Sequence, residues 1–90
     1  MQASLSGKTY GITGFTSGIG LASAEVLAAA GAHVIGVGRS PQRCQAAAQR
    51  INERCPGRLR WVQADLANQA EVRRAAAEIG QILAEQEHPR

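Results

Sequence analysis

Three glycines fall within residues 13–20, whose sequence TGFTSGIG lies between a short extended segment and the start of a helical pattern. A helix N-terminus leaves backbone N–H groups unpaired and carries a partial positive charge, and glycines let a diphosphate approach those groups without meeting side chains. The segment therefore predicts the binding site for the pyrophosphate of a dinucleotide. The alternative is that the glycines only allow a tight turn between a strand and a helix.

Strand and helix signals alternate along the rest of the chain. Strands are predicted at residues 8–13, 33–38 and 59–64, and the second is a mostly apolar run of the kind that a parallel sheet buries on both faces. Each strand is followed by apolar residues at helical spacing. The residues expected to face the core are Ile19, Ala22, Val26, Leu27 and Ala30 in the first helix, Cys44, Ala47, Ile51 and Cys55 in the second, and Val72, Ala76, Ile79 and Leu83 in the third.

Residues that favour helix ends mark the boundaries of these three helices. Gly31 is placed to end the first helix, because a glycine after the last helical residue readily adopts a positive φ. Ser40 followed by Pro41 predicts the start of the second helix, and Asn68 with Glu71 has the spacing of a capping box at the third.

The order strand, helix, strand, helix, strand, helix predicts an α/β fold with parallel strands joined by right-handed crossovers. This is the first βαβαβα half of a three-layer Rossmann-type sheet. In the strand order 3-2-1-4-5-6 the first strand lies mid-sheet, so a chain stopping at Arg90 would leave it as an open edge. Because such an edge invites aggregation, we expect residues 1–90 to be the N-terminal dinucleotide-binding segment of one domain that continues beyond the third helix.

Composition argues against several other classes of protein. The net charge of +3 is scattered, and Tyr10, Phe15 and Trp61 are isolated, whereas proteins that bind single-stranded nucleic acids pair a basic groove with stacking aromatic residues. Cys44 and Cys55 lack the spacing of a zinc or redox pair, so no metal site is predicted. The apolar runs are shorter than the roughly 20 residues of a membrane-spanning helix, so we expect a cytoplasmic protein.

Residues 13–20 closely resemble the short-chain dehydrogenase/reductase family, whose signature Thr-Gly-x-x-x-Gly-Ile-Gly they match. The resemblance continues through residues 38–40 (GRS) after the second strand and through Asp65 and Leu66 after the third. It implies that Asp65 and Leu66 border the adenine of a nicotinamide cofactor, although a turn-forming role for Asp65 is an alternative. Phe15 departs from the family pattern, which more often has a small residue there. The loop residues that the resemblance assigns to the cofactor are Gly14, Thr16, Ser17, Gly18, Ile19 and Gly20.

The preference between NAD(H) and NADP(H) is predicted from charge. Dinucleotide folds that prefer NAD place an acidic residue after the second strand, whereas NADP needs a cation for its 2′-phosphate. This chain has Arg39 there and no nearby acid. We therefore expect NADP(H), with Ser40 as a second phosphate ligand and Arg43 as a weaker candidate. A solvated surface arginine is the alternative interpretation of Arg39.

The resemblance also implies a reaction, the interconversion of an alcohol and a carbonyl on a small organic substrate, and a homo-oligomeric full-length enzyme. Family members use a Tyr-x-x-x-Lys pair and an upstream serine for proton transfer. Neither this pair nor the family's Asn-Asn-Ala-Gly segment occurs in residues 1–90, since Gly14 stands four positions after Tyr10. We expect no catalytic residue in this segment and no turnover by it alone.

Two other classes remain open at the level of sequence. One is a free-standing nucleotide-binding or interaction module without catalytic activity, in which the sheet edge pairs with another chain. The other keeps the fold but changes the chemistry, as in nucleotide-sugar epimerases and dehydratases. Their loops typically have the spacing G-x-x-G-x-x-G, which this chain lacks.

Overall fold

Three parallel strands and three helices alternate along residues 5–86, which are the residues that the computed structural model describes. The elements are β1 (Thr9–Thr13), α1 (Gly18–Ala29), β2 (His33–Gly38), α2 (Pro41–Arg54), β3 (Leu59–Gln63) and α3 (Gln69–Gln86). The predicted α/β order is confirmed. Strand β2 has the predicted bounds, while β1 begins one residue later than predicted and β3 ends one residue earlier.

The strands form one sheet in the order β1-β2-β3, so β1 lies at an edge as predicted. Their parallel register places Thr13 beside Val37, and Gly38 beside Gln63. The carboxyl ends of the three strands therefore end at the same side of the sheet. This alignment brings together the three loops that leave the strands, and these loops, with the first turns of α1 and α2, contain the residues that the sequence assigns to a nucleotide.

Helices α1 and α2 cover one face of the sheet and α3 covers the other, which gives the predicted three layers. The first core cluster joins α1 and α2 to the sheet through Phe15, Ala24, Ala28, Val34, Cys44, Ala47, Ala48, Ile51 and Leu59. The second lies under α3 and contains Ile35, Val37, Val62, Ala64, Ala75 and Ile82. Strand β2 contributes to both clusters, which is why its sequence is a mostly apolar run.

The prediction of which α1 face is buried was partly wrong, because Leu27 packs against the core as expected but other predicted residues do not. Ile19 and Val26 are 86% and 68% exposed, and Ala22 is exposed as well. Ala24 and Ala28 face the core instead. Alanines let the helix axis approach the sheet closely, so the small stripe packs inward and the larger apolar residues project away from it.

The burial predicted for α3 was partly wrong. Ile79 and Leu83 pack against the core as expected, but Ala75 and Ile82 are the buried residues of this helix. Val72 is 39% exposed. The buried face of α3 is rotated from the predicted one, because the neighbouring alanines make two adjacent faces of the helix similarly apolar.

None of the helices within residues 5–86 combines the length and the apolar character that a membrane span requires.

The start of α3 contains half of the predicted capping box. The Asn68 Oδ1 atom accepts hydrogen bonds from the backbone N–H groups of Ala70 and Glu71, at 2.9 and 3.2 Å. The second hydrogen bond of the box, from the Asn68 N–H to the Glu71 carboxylate, is not formed, because the Asn68 N–H donates to the Asp65 carbonyl at 2.9 Å. Glu71 Oε1 accepts from the Asp65 N–H instead, at 2.7 Å.

Phe15 connects the glycine loop to the sheet. Its side chain is completely buried, and its ring lies over Gly36 of β2, where a Cβ atom would overlap the ring carbons. The larger residue that departs from the family pattern is therefore accommodated by a glycine on the neighbouring strand. Gly in a strand often marks such a close approach.

The two edges of the sheet differ in how their backbone groups are paired. At β3, the Asn52 carboxamide both accepts from the Leu59 N–H and donates to the Leu59 carbonyl, each at 3.0 Å. Arg74 donates to the Gln63 carbonyl at 2.7 Å. These side chains occupy positions that a fourth strand would need. Within residues 5–86, no strand pairs with the outer edge of β1.

Gly36→Ala should lower the free energy of unfolding by about 1–3 kcal/mol, because the added methyl group overpacks the contact with Phe15. Gly80→Ala is the matched control, since a Cβ atom there meets nothing within 4 Å inside α3. The control should raise stability by roughly 0.5–1 kcal/mol through helix propensity. Urea unfolding curves measure both, and equal midpoints for the two variants would contradict the packing of Phe15.

Asn52→Leu should lower the free energy of unfolding by about 1–3 kcal/mol, because it leaves the N–H and carbonyl of Leu59 without their partner in a half-buried position. Gln49→Leu changes an exposed glutamine of the same helix and should stay within about 0.5 kcal/mol of the unaltered chain. Urea unfolding again supplies the comparison. Similar losses for both variants would show that Asn52 does not protect the edge.

Candidate nucleotide-binding site

The loop between β1 and α1 needs glycine at three positions for two different reasons. Gly14 and Gly18 have φ values of +67° and +60°, a conformation that other residues rarely adopt. A Cβ atom at either position would meet nothing within 4 Å, so the space above the loop is open. At Gly20 a Cβ atom would overlap the carbonyl oxygen of Gly14. The loop is thus folded tightly on itself while its outer surface stays accessible.

The N-terminus of α1 lies beside this open space and has no side-chain cap. Ser17 precedes the helix in an extended conformation, with φ −160° and ψ 167°, and its side chain makes no capping hydrogen bond. The Leu21 N–H donates to the Ser17 carbonyl at 3.3 Å and is the first donor of the helix, so the N–H groups of residues 18–20 have no acceptor within it. The first turn carries no acidic residue. These features fit a diphosphate.

A groove of about 410 Å³ runs from the glycine loop along the side of α2. Thr16 and Ser17 line it on the loop side, and Arg43 lines it on the α2 side. Arg50 lies further along and is paired with Glu25 at 2.8 Å. The structure therefore places Arg43, a weaker candidate in the sequence, directly beside the predicted pyrophosphate loop.

Arg39 and Ser40 follow the end of β2. Arg39 is exposed, and it takes part in none of the ion pairs among residues 5–86, so its guanidinium is available to a ligand. The Ser40 hydroxyl caps α2, because its Oγ accepts from the Arg43 N–H at 3.3 Å and lies 3.4 Å from Gln42 Oε1. Ser40 is thus the N-cap of α2, as the sequence predicted.

Asp65 and Leu66 follow the end of β3. One carboxylate oxygen of Asp65 accepts from the Ala67 N–H at 3.0 Å, which forms the turn that the sequence offered as an alternative role. Leu66 is 52% exposed at the surface of this turn. Asp65 therefore shapes the loop that presents Leu66.

Backbone hydrogen bonds hold the three loops in line at the carboxyl side of the sheet. The Gly14 N–H donates to the Val37 carbonyl at 3.1 Å, and the Ala64 N–H donates to the Gly38 carbonyl at 2.9 Å. The glycine loop, the Arg39 turn and the Asp65 turn consequently follow β1, β2 and β3 in spatial order. Ligands of open α/β sheets bind at this side.

Three further residues support these loops although the sequence did not identify them. Gln63 Nε2 donates to the Arg39 carbonyl at 3.2 Å, Arg74 donates to the Gln63 carbonyl, and Glu71 accepts from the Asp65 N–H. The only sequence signal was the capping-box spacing of Glu71, and it indicated a different partner.

The two thiols lie on the α2 side of the sheet. Cys44 is buried and Cys55 is half-buried, and both are free. Desolvation by burial raises the pKa of the Cys44 thiol above its usual range. Within the described part of the chain, no group of three His, Cys, Asp or Glu side chains is arranged to hold a metal ion.

Comparison with known proteins relates this geometry to one family. A model of the short chain dehydrogenase family matches residues 8–86. The 3-oxoacyl-[acyl-carrier-protein] reductase of Aquifex aeolicus is 38% identical over 79 residues, which are 88% of this chain and 32% of that protein.

Solved structures of a reductase and of an oxidoreductase are also similar. L-Sorbose reductase from Gluconobacter frateurii, in complex with NADPH and L-sorbose, has a TM-score of 0.80 and 38% identity over 88% of this chain and 30% of its own. An NADPH-bound short chain oxidoreductase from Pseudomonas aeruginosa PAO1 has a TM-score of 0.78 and 38% identity over 84% of this chain and 30% of its own. The chain thus spans less than a third of the length of each of these proteins.

Cys55 should react with iodoacetamide at pH 8 well before Cys44. The Cys44 sulfur is buried and its raised pKa keeps it a thiol, whereas alkylation requires an accessible thiolate. Peptide mapping by mass spectrometry after timed labelling measures both rates, and labelling in urea should remove the difference. Equal rates in the folded chain would contradict the packing of α2 on the sheet.

Proposed function

We propose that this chain, which belongs to the short chain dehydrogenase family, is the cofactor-binding N-terminal part of an NADP(H)-dependent oxidoreductase. The parent enzyme would interconvert an alcohol and a carbonyl on a small organic substrate. The observation that carries the proposal is the N-terminus of α1, which has no side-chain cap and lies at the carboxyl side of the sheet. Two glycines with positive φ, Gly14 and Gly18, leave the space around it open. Such a terminus is a ready anion site.

When bound, the nicotinamide cofactor supplies the hydride that the reaction exchanges with substrate. This chain's own residues bind and orient the adenosine half. The N–H groups of Gly18, Ile19 and Gly20 would hold the pyrophosphate, and the Ser17 hydroxyl, which makes no capping bond, would add a donor. Gly14 and Thr16 complete the loop, while Asp65 and Leu66 would border the adenine.

Positive charge beside the second strand supports NADP(H) over NAD(H). Residues 33–52 contain no Asp or Glu that would accept a ribose 2′-hydroxyl. The Arg39 guanidinium makes no ion pair within residues 5–86 and would bind the 2′-phosphate, with Arg43 contributing from the groove. The Ser40 hydroxyl would add a contact to this phosphate while its oxygen continues to cap α2. NADPH is bound in the Gluconobacter and Pseudomonas structures.

The chemical step requires groups that this chain does not supply. No Tyr-x-x-x-Lys pair is present in residues 1–90. We therefore propose that the proton-transferring tyrosine and lysine belong to a further part of the same domain, which also binds the substrate. On this proposal the 90-residue chain binds nucleotide without turnover, and the full-length enzyme is a cytoplasmic homo-oligomer.

Arg39→Asp should remove the preference for NADPH. A charge-assisted hydrogen bond contributes about 1.5–3 kcal/mol, so the unaltered chain should bind NADPH about 10- to 150-fold more tightly than NADH. The variant should bind the two with similar affinity, or prefer NADH, because a carboxylate repels the phosphate and accepts from a ribose hydroxyl. Isothermal titration calorimetry of both nucleotides gives the ratio.

A Gly14→Val chain serves as the comparison, because a side chain in the open space over the loop should weaken both nucleotides together. Circular dichroism should first show that each variant is folded. An unchanged ratio in Arg39→Asp would overturn the cofactor preference. A folded, unaltered chain that binds neither nucleotide would overturn the proposed function itself.

A further inference from the structure

We propose that Gln63 and Arg74 are positioning residues that set the preference for the 2′-phosphate by holding the Arg39 turn from the neighbouring end of β3. This inference rests on the proposed function, since it assumes that Arg39 meets a phosphate. Neither residue lies in the glycine loop or on α1. Both act through backbone atoms of the sheet's carboxyl side.

Gln63 holds the backbone of Arg39 directly. It is the last residue of β3 and stands beside Gly38 in the register, so its side chain reaches the next residue of the neighbouring strand. Its Nε2 atom donates to the Arg39 carbonyl at 3.2 Å. Within residues 5–86 this is the one hydrogen bond in which any atom of Arg39 takes part. The direction in which the arginine leaves the sheet therefore depends on Gln63.

Arg74 holds Gln63 in turn. Its guanidinium donates to the Gln63 carbonyl at 2.7 Å and to Glu78 Oε2 at 2.7 Å. The Glu71 carboxylate lies 3.9 Å from the same guanidinium. Charged donors make the stronger hydrogen bonds, and the planar guanidinium is directed by its carboxylate partners. Arg74 thereby fixes the end of β3 from which the Gln63 side chain extends.

Glu71 connects Arg74 to the Asp65 turn, which is the loop that follows β3. Its Oε1 atom accepts from the Asp65 N–H at 2.7 Å and is the atom that faces Arg74. The first two turns of α3 consequently hold the Arg39 turn and the Asp65 turn with one set of side chains. A change on α3 should therefore alter nucleotide selectivity without touching the nucleotide.

The test compares two probes that differ by a single phosphate, adenosine 2′,5′-bisphosphate and adenosine 5′-monophosphate. In Gln63→Leu the affinity ratio of the two should fall about 2- to 10-fold, which is the range of one net hydrogen bond. The affinity for the monophosphate should stay within about twofold. Gln81→Leu is the matched control and should leave the ratio unchanged, because Gln81 is an exposed residue of α3 whose side chain makes no hydrogen bond within residues 5–86. Arg74→Leu provides a second variant with the same expected direction.

A double-mutant cycle separates positioning from direct contact. In an Arg39→Ala background, Gln63→Leu should no longer change the ratio, because the group that it positions is gone. A further fall in that background would mean that Gln63 touches the phosphate itself and would overturn the inference. General unfolding would weaken both probes together and leave the ratio intact, so the ratio distinguishes positioning from a purely structural role.

Different results overturn the positioning role and the proposed function. If the unaltered chain prefers the bisphosphate through Arg39 but Gln63→Leu and Arg74→Leu keep the full ratio, only the positioning role is overturned. If the unaltered chain binds neither probe, the proposed function and this inference fall together.

Discussion

The contact between the Phe15 ring and Gly36 determines how the glycine loop sits on the sheet. Because Phe15 is completely buried between β2 and the α1–α2 layer, the loop cannot lift away from the strand ends. The start of α1 is fixed as a result, and with it the direction in which the first helical N–H groups point. A packing interaction inside the core thus orients a polar site at the surface.

Charge at this site comes from two sources with different ranges. The backbone donors of α1 act over about the first turn of the helix, so they discriminate poorly between dinucleotides that share a pyrophosphate. Arg39 stands on the neighbouring strand, where only one of the two cofactors carries an additional phosphate. On the proposed function, affinity and selectivity would come from separate loops, each held by its own neighbours.

The features that sequence predicted well depend on local backbone preferences. The glycines of the loop, Ser40 before Pro41, and the apolar run of β2 define their elements with little help from distant residues. These features were enough to predict the α/β order and the edge position of β1. The same order places the predicted site residues at one side of the sheet, because the ends of parallel strands lie side by side, and their contacts with a nucleotide stay a prediction.

What sequence missed depends on which surfaces meet in three dimensions. Ile19 and Val26 have the spacing of a buried stripe, yet the sheet packs against Ala24 and Ala28 because small residues allow closer approach. The bond from Gln63 to Arg39 joins residues 24 positions apart. No periodicity marks such a pair, since both side chains are polar and exposed at strand ends.

The unequal edges of the sheet limit how this chain associates with itself. A sheet with two open edges serves as a template in both directions and grows without end. Here the Asn52 carboxamide and the Arg74 guanidinium occupy backbone groups at the outer edge of β3, while within residues 5–86 no strand lies beside the outer edge of β1. Since these side chains already bind the outward backbone groups of Leu59 and Gln63, the outer edge of β3 is a poor template for a further strand.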